Sequence, residues 1–388
     1  MIIALVFFLT PAIALGVGVQ PAEFENRPLA AAPSLTAGWG FFTELPAWAA
    51  DRLPFRDAAV RSSDLISREV FGEPTELDTR RPAAGPVIAP VAPDPTVLPA
   101  AGYPQVIEGD RGWLYFGYDV EGKCAPVRPL DEVISGLRGL RAAVEASGRR
   151  FVLVVAPDKS TMVPRPLPDR FAGQRCAQER GAQFWHRVTT EAGAIDLRPD
   201  LDALAAAGVP IYRKLDTHWT DAGSLTLVRS LADTIQPGAS RSWRIAPGRM
   251  RQAAADLPPL IGRTGTDSGR SYLLAPDGQQ DRTRPYAEDM RTPVHFRSAP
   301  AAGMVTAPVA MLTDSFSLPA SRYLAATFSD LTTVFYASDL KTVTDVMAAG
   351  NVVVLEVVER NLASGTPPVL DDVAIERIAA VLKARPVR

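Results

Sequence analysis

The 388-residue sequence has few of the residues that proteins use for metal and redox chemistry. It contains three histidines and two cysteines, and neither cysteine has a second Cys or His at the spacing of a zinc site. GxGxxG, P-loop and HExxH patterns are also absent, which gives no support to the nucleotide-binding and zinc-protease classes they mark. A formal net charge of −2 and the lack of a basic run argue against a nucleic-acid partner. The sequence therefore predicts no cofactor, no metal and no nucleic acid.

Charge is missing from the first nineteen residues, MIIALVFFLTPAIALGVGV, and nearly all of them are apolar. Such a stretch is just long enough to span a bilayer, and it also fits the apolar part of a secretion signal. A buried core helix is the alternative. We interpret residues 1–19 as a signal peptide or a membrane anchor. This predicts that the remaining chain is extracytoplasmic, in the periplasm or at the cell surface, and attached to the membrane through its N-terminus.

The two cysteines, Cys124 and Cys176, bear on the same question. An exported chain with an even number of cysteines favours a disulfide, because the compartment it enters is oxidising. Two buried free thiols are the alternative. We predict a disulfide between them.

The pattern of the chain changes along its length. Residues 20–81 are expected to form a helical preamble, and residues 82–102 are so rich in proline that they predict an extended linker or an ordered surface loop. From residue 103 to 388, short apolar runs alternate with segments of helical period, which predicts an α/β domain with a mainly parallel sheet. Within it, residues 238–300 are expected to form a loop-rich insertion.

Two stretches of this domain contain residues suited to chemistry. In VAMLTDSFSLPASRYL, a predicted strand is followed by a predicted helix, so Ser315 falls at the turn between them. In VPIYRKLDTHWTDAG, the first seven residues are predicted to be a strand, and Asp216 and His218 follow it before a helix capped by Thr220. Sites in open α/β sheets form at the carboxyl ends of strands, so the two stretches are expected to meet there.

Together these residues predict an acyl-transfer site. A serine hydroxyl becomes a nucleophile when a base takes its proton, and His218 is the best candidate for that base. Asp216 lies two residues earlier, where an extended segment would place it on the same side as His218. It could then orient the imidazole, since such triads are defined by geometry and not by chain order. The alternatives are a helix cap for Ser315, a structural hydrogen bond for the Asp–His pair, and a metal site that lacks a third ligand.

DTHW together with TDSFS resembles the AlgJ/AlgX family of polysaccharide O-acetyltransferases. Other segments agree with the family in the same order: ENRPL, DRLPFRD, GWLYF, VVAPDKSTMVP and EVVERNL. The resemblance implies an SGNH-hydrolase-like fold, a three-layer α/β/α arrangement, with Ser315 as nucleophile, His218 as base and Asp216 as orienting acid. It departs from the usual pattern at Thr313, where glycine is more common, and no asparagine has the context of an oxyanion donor.

The resemblance also implies a reaction and partners. Acetyl groups supplied by a membrane-bound O-acyltransferase would pass through Ser315 to hydroxyls of a surface or exported polysaccharide. Two other functions stay open: a carbohydrate acetylesterase, which uses the same residues with water as acceptor, and a non-catalytic polysaccharide-binding or assembly protein.

Four residues are candidates for substrate binding, each with a plainer alternative. Lys159 and Arg213 could bind an anionic sugar or could be solvated surface cations. Trp219 could stack on a sugar ring or could wedge the start of a helix. Tyr323 could line the cleft or could pack in the core.

Overall fold

The computed structural model describes residues 102–387, along with three isolated helical residues, Phe41, Leu45 and Trp48. The signal or anchor expected at residues 1–19 therefore lies outside the described residues, as do nearly all of the preamble (20–81) and the linker (82–102). Among the residues that are described, no helix combines the length and the apolar character needed to cross a membrane.

Ten strands and ten α-helices make up the domain within residues 102–387. In chain order the strands are β1 (Val106–Glu108), β2 (Leu114–Phe116), β3 (Arg150–Ala156), β4 (Ile195–Asp196), β5 (Arg244–Ala254), β6 (Thr266–Ala275), β7 (Val294–Arg297), β8 (Val309–Thr313), β9 (Asp330–Phe335) and β10 (Val352–Val358). The helices are α1 (Tyr118–Cys124), α2 (Leu130–Glu145), α3 (Lys159–Met162), α4 (Gln174–Thr190), α5 (Arg198–Ala206), α6 (Asp221–Ile235), α7 (Ser317–Thr327), α8 (Leu340–Ala349), α9 (Glu359–Ser364) and α10 (Asp372–Ala384).

A six-stranded sheet lies at the centre, in the order β4-β3-β10-β8-β9-β7. Four of its five pairings are parallel, and β7 runs antiparallel to β9 at one edge. The central strands β3, β8 and β10 are continuous apolar runs because strands buried on both faces have no polar side. The mainly parallel sheet expected from the alternating pattern is confirmed.

Successive side chains of each central strand enter two separate cores. Val152, Val154 and Val354 pack with α5, α6 and α7 on one face. Leu153 and Leu355 pack on the other face with α2, α4, α8 and α10. The sheet is therefore covered on both faces, and the domain has the three-layer α/β/α arrangement that the sequence predicts.

The strand predicted at VPIYRKL is wrong. Residues 207–220 form a loop that folds back on itself, with a single bridge between Tyr212 and Trp219. The N–H of Arg213 donates to the carbonyl of His218 at 3.2 Å, and the N–H of Thr220 donates to Ile211 at 2.9 Å. Ile211 and Tyr212 pack in the core below the loop. Buried residues of this kind give a loop the same sequence pattern as a short strand.

Residues 238–300, expected to be rich in loops, contain three of the strands. β5 and β6 form a long antiparallel ribbon apart from the main sheet, with a register shift between Pro247 and Met250. β7 joins the edge of the main sheet beside β9. Much of β5 is polar and exposed on both sides, so it lacks the alternation that marks a half-buried strand.

The beginning of the domain is closed by a hairpin and a disulfide. β1 and β2 pair as the antiparallel hairpin expected from VIEGDRGWLYF. Cys124, at the end of α1, is bonded to Cys176 in the first turn of α4, with 5.9 Å between their Cα atoms. The structure thus contains the predicted disulfide, which connects the small core around the hairpin to the body of the domain.

Candidate active site

Ser315 lies in the short turn between β8 and α7, at the carboxyl edge of the sheet. The turn is tied down by Asp314, whose carboxylate accepts the N–H of Phe316 at 2.9 Å and the N–H of Val358 at 2.8 Å. Since Val358 ends the neighbouring strand β10, this carboxylate joins the serine turn to two adjacent strand ends. Burial raises the pKa of Asp314 above its usual value.

Glu356 supports the same turn from below and explains the threonine found in place of glycine. One of its oxygens accepts the hydroxyl of Thr313 at 2.5 Å, the hydroxyl of Ser317 at 2.7 Å and the N–H of Asp314 at 3.2 Å. Burial, and then the neighbouring Asp314, raise the pKa of this carboxyl well above its usual range. The Thr313 side chain therefore does not obstruct the turn, and its hydroxyl helps to hold the turn by donating to Glu356.

Asp216 and His218 pair through a local turn. The prediction that an extended segment places them on the same side is wrong. One oxygen of Asp216 accepts the backbone N–H of His218 at 2.8 Å and lies 2.8 Å from Nδ1 of its ring. An aspartate that binds the N–H two residues later forms an Asx turn. This turn orients the ring and its carboxylate partner in a single local motif.

The far side of the imidazole faces the serine. Nε2 of His218 lies 2.9 Å from Oγ of Ser315, although 97 residues separate the two along the chain. Burial lowers the pKa of His218, but the negative charge and hydrogen bond of Asp216 outweigh it, so the pKa ends above its usual value. The geometry thus presents a carboxylate, an imidazole and a hydroxyl in one hydrogen-bonded row, which can move a proton away from Ser315.

Lys159 does not face the cleft, so the expectation that it binds substrate is corrected. Its ammonium group is buried, and it donates to the carbonyl oxygens of Leu114 at 2.5 Å, Lys214 at 2.9 Å and Asp216 at 3.0 Å. These bonds use the three donors of a lysine. Burial lowers its pKa to about 8. Lys159 therefore holds the histidine loop against the β1–β2 hairpin.

Trp219 and Tyr323 are also interior residues, and the plainer alternative for each is the correct one. Trp219 is fully buried and donates its ring N–H to the carbonyl of Phe316 at 2.9 Å. Tyr323 is buried in the core and donates its hydroxyl to Asp221 at 2.7 Å. Neither presents a face to a sugar. They join α6 to α7 and so keep the histidine and the serine in register.

The start of α6 explains two further residues of the DTHWTDAG stretch. Thr220 caps the helix as predicted, accepting the N–H of Gly223 at 3.2 Å. A Cβ atom at Gly223 would lie 2.6 Å from the carbonyl oxygen of Ile211 and 2.8 Å from Cβ of Trp219. Glycine is needed here because the returning loop passes directly over the first turn of the helix.

A cleft of about 250 Å³ opens over Ser315 and His218. Arg213, one of the four expected substrate-binding residues, lines it, together with Arg251 and Tyr286 from the segment 238–300. The guanidinium group of Arg251 lies over the ring of Tyr286, 4.7 Å from its centre. Neither Arg251 nor Tyr286 could be predicted from the sequence, because that segment has no periodic pattern to place its side chains on a face.

A second carboxylate, that of Asp256, approaches the histidine from the segment 238–300. Asp256 accepts the backbone N–H of Thr217 at 2.8 Å and its hydroxyl at 2.5 Å, and Oδ2 lies 3.5 Å from Nδ1 of His218. No sequence signal pointed to it, since it lies 39 residues from Thr217 in an irregular stretch.

The sequence matches the model of the family described as "SGNH hydrolase-like domain, acetyltransferase AlgX" over residues 106–318, which include Asp216, His218 and Ser315. Among similar curated proteins is the probable alginate O-acetylase AlgJ of Azotobacter vinelandii, 29% identical over 140 residues, or 35% of each chain. The corresponding protein of Pseudomonas putida is 25% identical over 195 residues, which cover 47% of this chain and 48% of that one. The matched part thus spans half or less of these relatives.

The solved structures to which the chain is similar include the O-acetyltransferase domain of Pseudomonas putida AlgJ. It has a TM-score of 0.48 and 18% identity, and the match covers 73% of this chain and 100% of that domain. Pseudomonas aeruginosa AlgX has a TM-score of 0.46 and 14% identity, with 72% of this chain and 66% of that one covered.

Proposed function

Because the chain belongs to the family of SGNH hydrolase-like, AlgX-type acetyltransferase domains, we propose that it is an O-acetyltransferase that acetylates a polysaccharide through an acetyl-serine intermediate. The observation that carries this proposal is the hydrogen-bonded row of Asp216, His218 and Ser315, with contacts of 2.8 and 2.9 Å. Curated relatives with sequence similarity are named as probable alginate O-acetylases, which supports the same class of reaction.

The first half-reaction loads the serine. Nε2 of His218 takes the proton of the Ser315 hydroxyl as Oγ attacks the carbonyl carbon of an acetyl donor. When the tetrahedral intermediate collapses, the bond to the donor's leaving oxygen breaks and His218 returns the proton to that oxygen. Asp216 keeps the other ring nitrogen protonated and stabilises the imidazolium that forms between the two steps.

The second half-reaction unloads it. A sugar hydroxyl gives its proton to His218 and attacks the acetyl carbon, the bond to Oγ breaks, and Ser315 regains the proton.

The negative oxygen of each tetrahedral intermediate needs donors. Within residues 102–387, the N–H groups of Phe316 and Ser317 donate to Asp314, whereas the N–H of Ser315 donates to no acceptor. The Ser315 N–H is therefore the donor we assign to this oxyanion.

The acceptor is proposed to carry carboxylates. Arg213 and Arg251 both line the cleft beside Ser315. Arginine binds carboxylates through paired donors in a fixed geometry. The nearest guanidinium nitrogen of Arg213 lies 3.8 Å from Oδ2 of Asp221. This distance is too long for a hydrogen bond, so the guanidinium donors are not used up by Asp221.

An extracytoplasmic location and a membrane-bound acetyl supplier complete the proposal. The disulfide between Cys124 and Cys176 supports the first, since disulfides persist in oxidising compartments. The uncharged residues 1–19 would attach the chain to the membrane. A membrane-bound O-acyltransferase would then deliver acetyl groups to Ser315 on the outer side.

Trapping the intermediate tests the chemistry. The full-length protein is mixed with an activated acetyl ester, and peptides are mapped by mass spectrometry. We expect acetate on the peptide that contains Ser315, no label in Ser315→Ala, and unchanged labelling in the control Ser268→Ala, which alters an exposed serine of β6. A folded native protein that acquires no acetyl group at Ser315 contradicts the proposal and favours a binding role.

Adding acceptors tests the substrate class. Acidic polysaccharides, including alginate, should accept acetyl groups from the labelled protein faster than neutral ones, and Arg251→Gln should raise KM for them about tenfold. The control Arg249→Gln alters a neighbouring exposed arginine that does not line the cleft. Loss of the acetyl group to water at the same rate with every glycan would identify an esterase instead.

A further inference from the structure

Asp256 brings a second carboxylate to the Nδ1 side of the histidine. It lies in the turn between β5 and β6, next to Leu257, which packs in a small core with the β1–β2 hairpin. Its Oδ1 accepts the N–H of Thr217, and its Oδ2 accepts the hydroxyl of the same residue. Nδ1 of His218 lies 3.3 Å from that hydroxyl and 3.5 Å from Oδ2 of Asp256.

We propose that Asp256 is a positioning residue for the base: it fixes the histidine loop through Thr217 and places a second negative charge beside Nδ1 of His218. This rests on the proposed function, in which His218 exchanges protons with Ser315. Asp256 is not among the residues that line the cleft, so it acts through Thr217 and the imidazole and not on a bound substrate. The role of orienting carboxylate is thereby divided between Asp216, from the loop itself, and Asp256, from the ribbon.

The other charges near the imidazole define the expected effect. Asp216 and Asp256 raise the pKa of His218, while burial and the guanidinium of Arg360, on α9, lower it. Asp314, below the serine, also interacts electrostatically with the ring. Removing the charge of Asp256 leaves burial and Arg360 less opposed, so the pKa of His218 should fall.

Asp267 offers a matched control on the same ribbon. Its carboxylate accepts the N–H of Leu215 at 2.7 Å, so it also ties the histidine loop to the ribbon through a backbone donor. It makes no contact with the ring of His218. Asp256→Asn and Asp267→Asn therefore each remove one negative charge and keep a side-chain oxygen for the backbone N–H, but only the first changes the surroundings of Nδ1.

The first measurement is the titration of His218 by NMR in full-length protein labelled with ¹⁵N at histidine. With only three histidines, the signals are assigned by substituting His186 and His295 in turn. In Asp256→Asn the pKa of His218 should fall by about one pH unit, as expected for the loss of one nearby charge. In Asp267→Asn it should stay unchanged. This readout does not require the protein to be an acetyltransferase.

The second measurement is the pH profile of acetyl transfer. His218 acts as a base when neutral, so the rate rises as pH passes its pKa, and a lower pKa moves this acidic limb to lower pH. Asp256→Asn should shift the limb by the same amount and reduce kcat about tenfold, with KM unchanged. If the asparagine variant does not fold, Asp256→Ser removes the charge with a smaller side chain and should show the same shift.

Three results would overturn the inference. One is a His218 pKa that does not change in Asp256→Asn. Another is an equal shift in Asp267→Asn, which would mean that the loss of any negative charge on this ribbon suffices. The third concerns metal: ligand atoms of Asp216, His218 and Asp256 lie within 4.8 Å of one another. Activity lost to a chelator and restored by zinc would make Asp256 a ligand.

Discussion

The two halves of the site are supported in different ways. The serine turn rests on the sheet, because Asp314 and Glu356 connect the ends of β8 and β10 and are themselves buried. The histidine loop rests on elements outside the sheet: Lys159 holds it to the hairpin, and Asp256 and Asp267 hold it to the ribbon. The nucleophile is thus positioned by the common core of an α/β domain, and the base by segments added around it.

A network of buried charges lies behind both halves. Lys123 pairs with Asp158 at 2.7 Å and with Glu359 at 3.0 Å, and Arg360 contacts Asp158 at 3.3 Å. Arg360 also lies over the ring of Phe316, 5.1 Å from its centre, directly behind the serine turn. A buried ion network of this kind gives little net stability, but removing one member leaves its partners unpaired at high cost. It therefore fixes geometry more than it adds stability.

The largest effect is expected for Asp216, the carboxylate that contacts the base His218. Asp216→Asn should leave the fold intact, because the amide oxygen can keep both contacts that Oδ1 makes with His218. It removes the negative charge that stabilises the imidazolium formed when His218 takes the proton of Ser315. We expect kcat for acetyl transfer to fall about 10⁴-fold. The measurement is single-turnover transfer with circular dichroism as the folding control. A loss below tenfold would show that the charge of Asp216 does not support the base.

Reducing the disulfide should weaken the hairpin side. The bond closes a loop with a sequence separation of 52 residues, which in the chain-entropy account contributes about 4 kcal/mol to the free energy of unfolding. Replacing Cys124 and Cys176 by serine should lower that free energy by a similar amount in urea denaturation. An equal midpoint with and without reductant would show that the bond constrains nothing.

Lys159→Met should destabilise the histidine loop, which the Lys159 ammonium group holds against the β1–β2 hairpin. It leaves the carbonyl oxygens of Leu114, Lys214 and Asp216 without their shared donor, at about 1 kcal/mol each, or about 3 kcal/mol in total. The control Lys214→Met alters an exposed lysine of the same loop. If both variants unfold at the same denaturant concentration, the buried ammonium is not a structural tie.

Thr313→Val should have the smallest effect, because the serine side has redundant support. It removes one of three donors to Glu356 and leaves the other two, so we expect a loss of about 2 kcal/mol in the free energy of unfolding. Labelling of Ser315 by an acetyl ester should slow by less than tenfold. A loss of labelling as large as that of Asp216→Asn would reverse the order of the two sides.

The sequence predicted the sheet better than the site around it. The continuous apolar runs of β3, β8 and β10 and the turn that holds Ser315 could be recognised, since their local patterns are strong. The loop before α6 was mistaken for a strand because apolar burial under a loop produces the same letters. Arg251, Asp256 and Tyr286 were missed because their segment has no period, so nothing in it assigns side chains to a face.

What the amino-acid sequence determined by itself is short-range. It set the strands and helices through their periods, the cap at Thr220, and the pairing of Asp216 with His218, which lie two residues apart. Only the tertiary structure brought His218 to Ser315, which lies 97 residues away in the chain. It also buried three residues that the sequence suggested for substrate binding: Lys159, Trp219 and Tyr323. Local sterics and hydrogen bonds act between neighbours in the chain. Burial and long-range pairing depend on which elements the packed layers bring together.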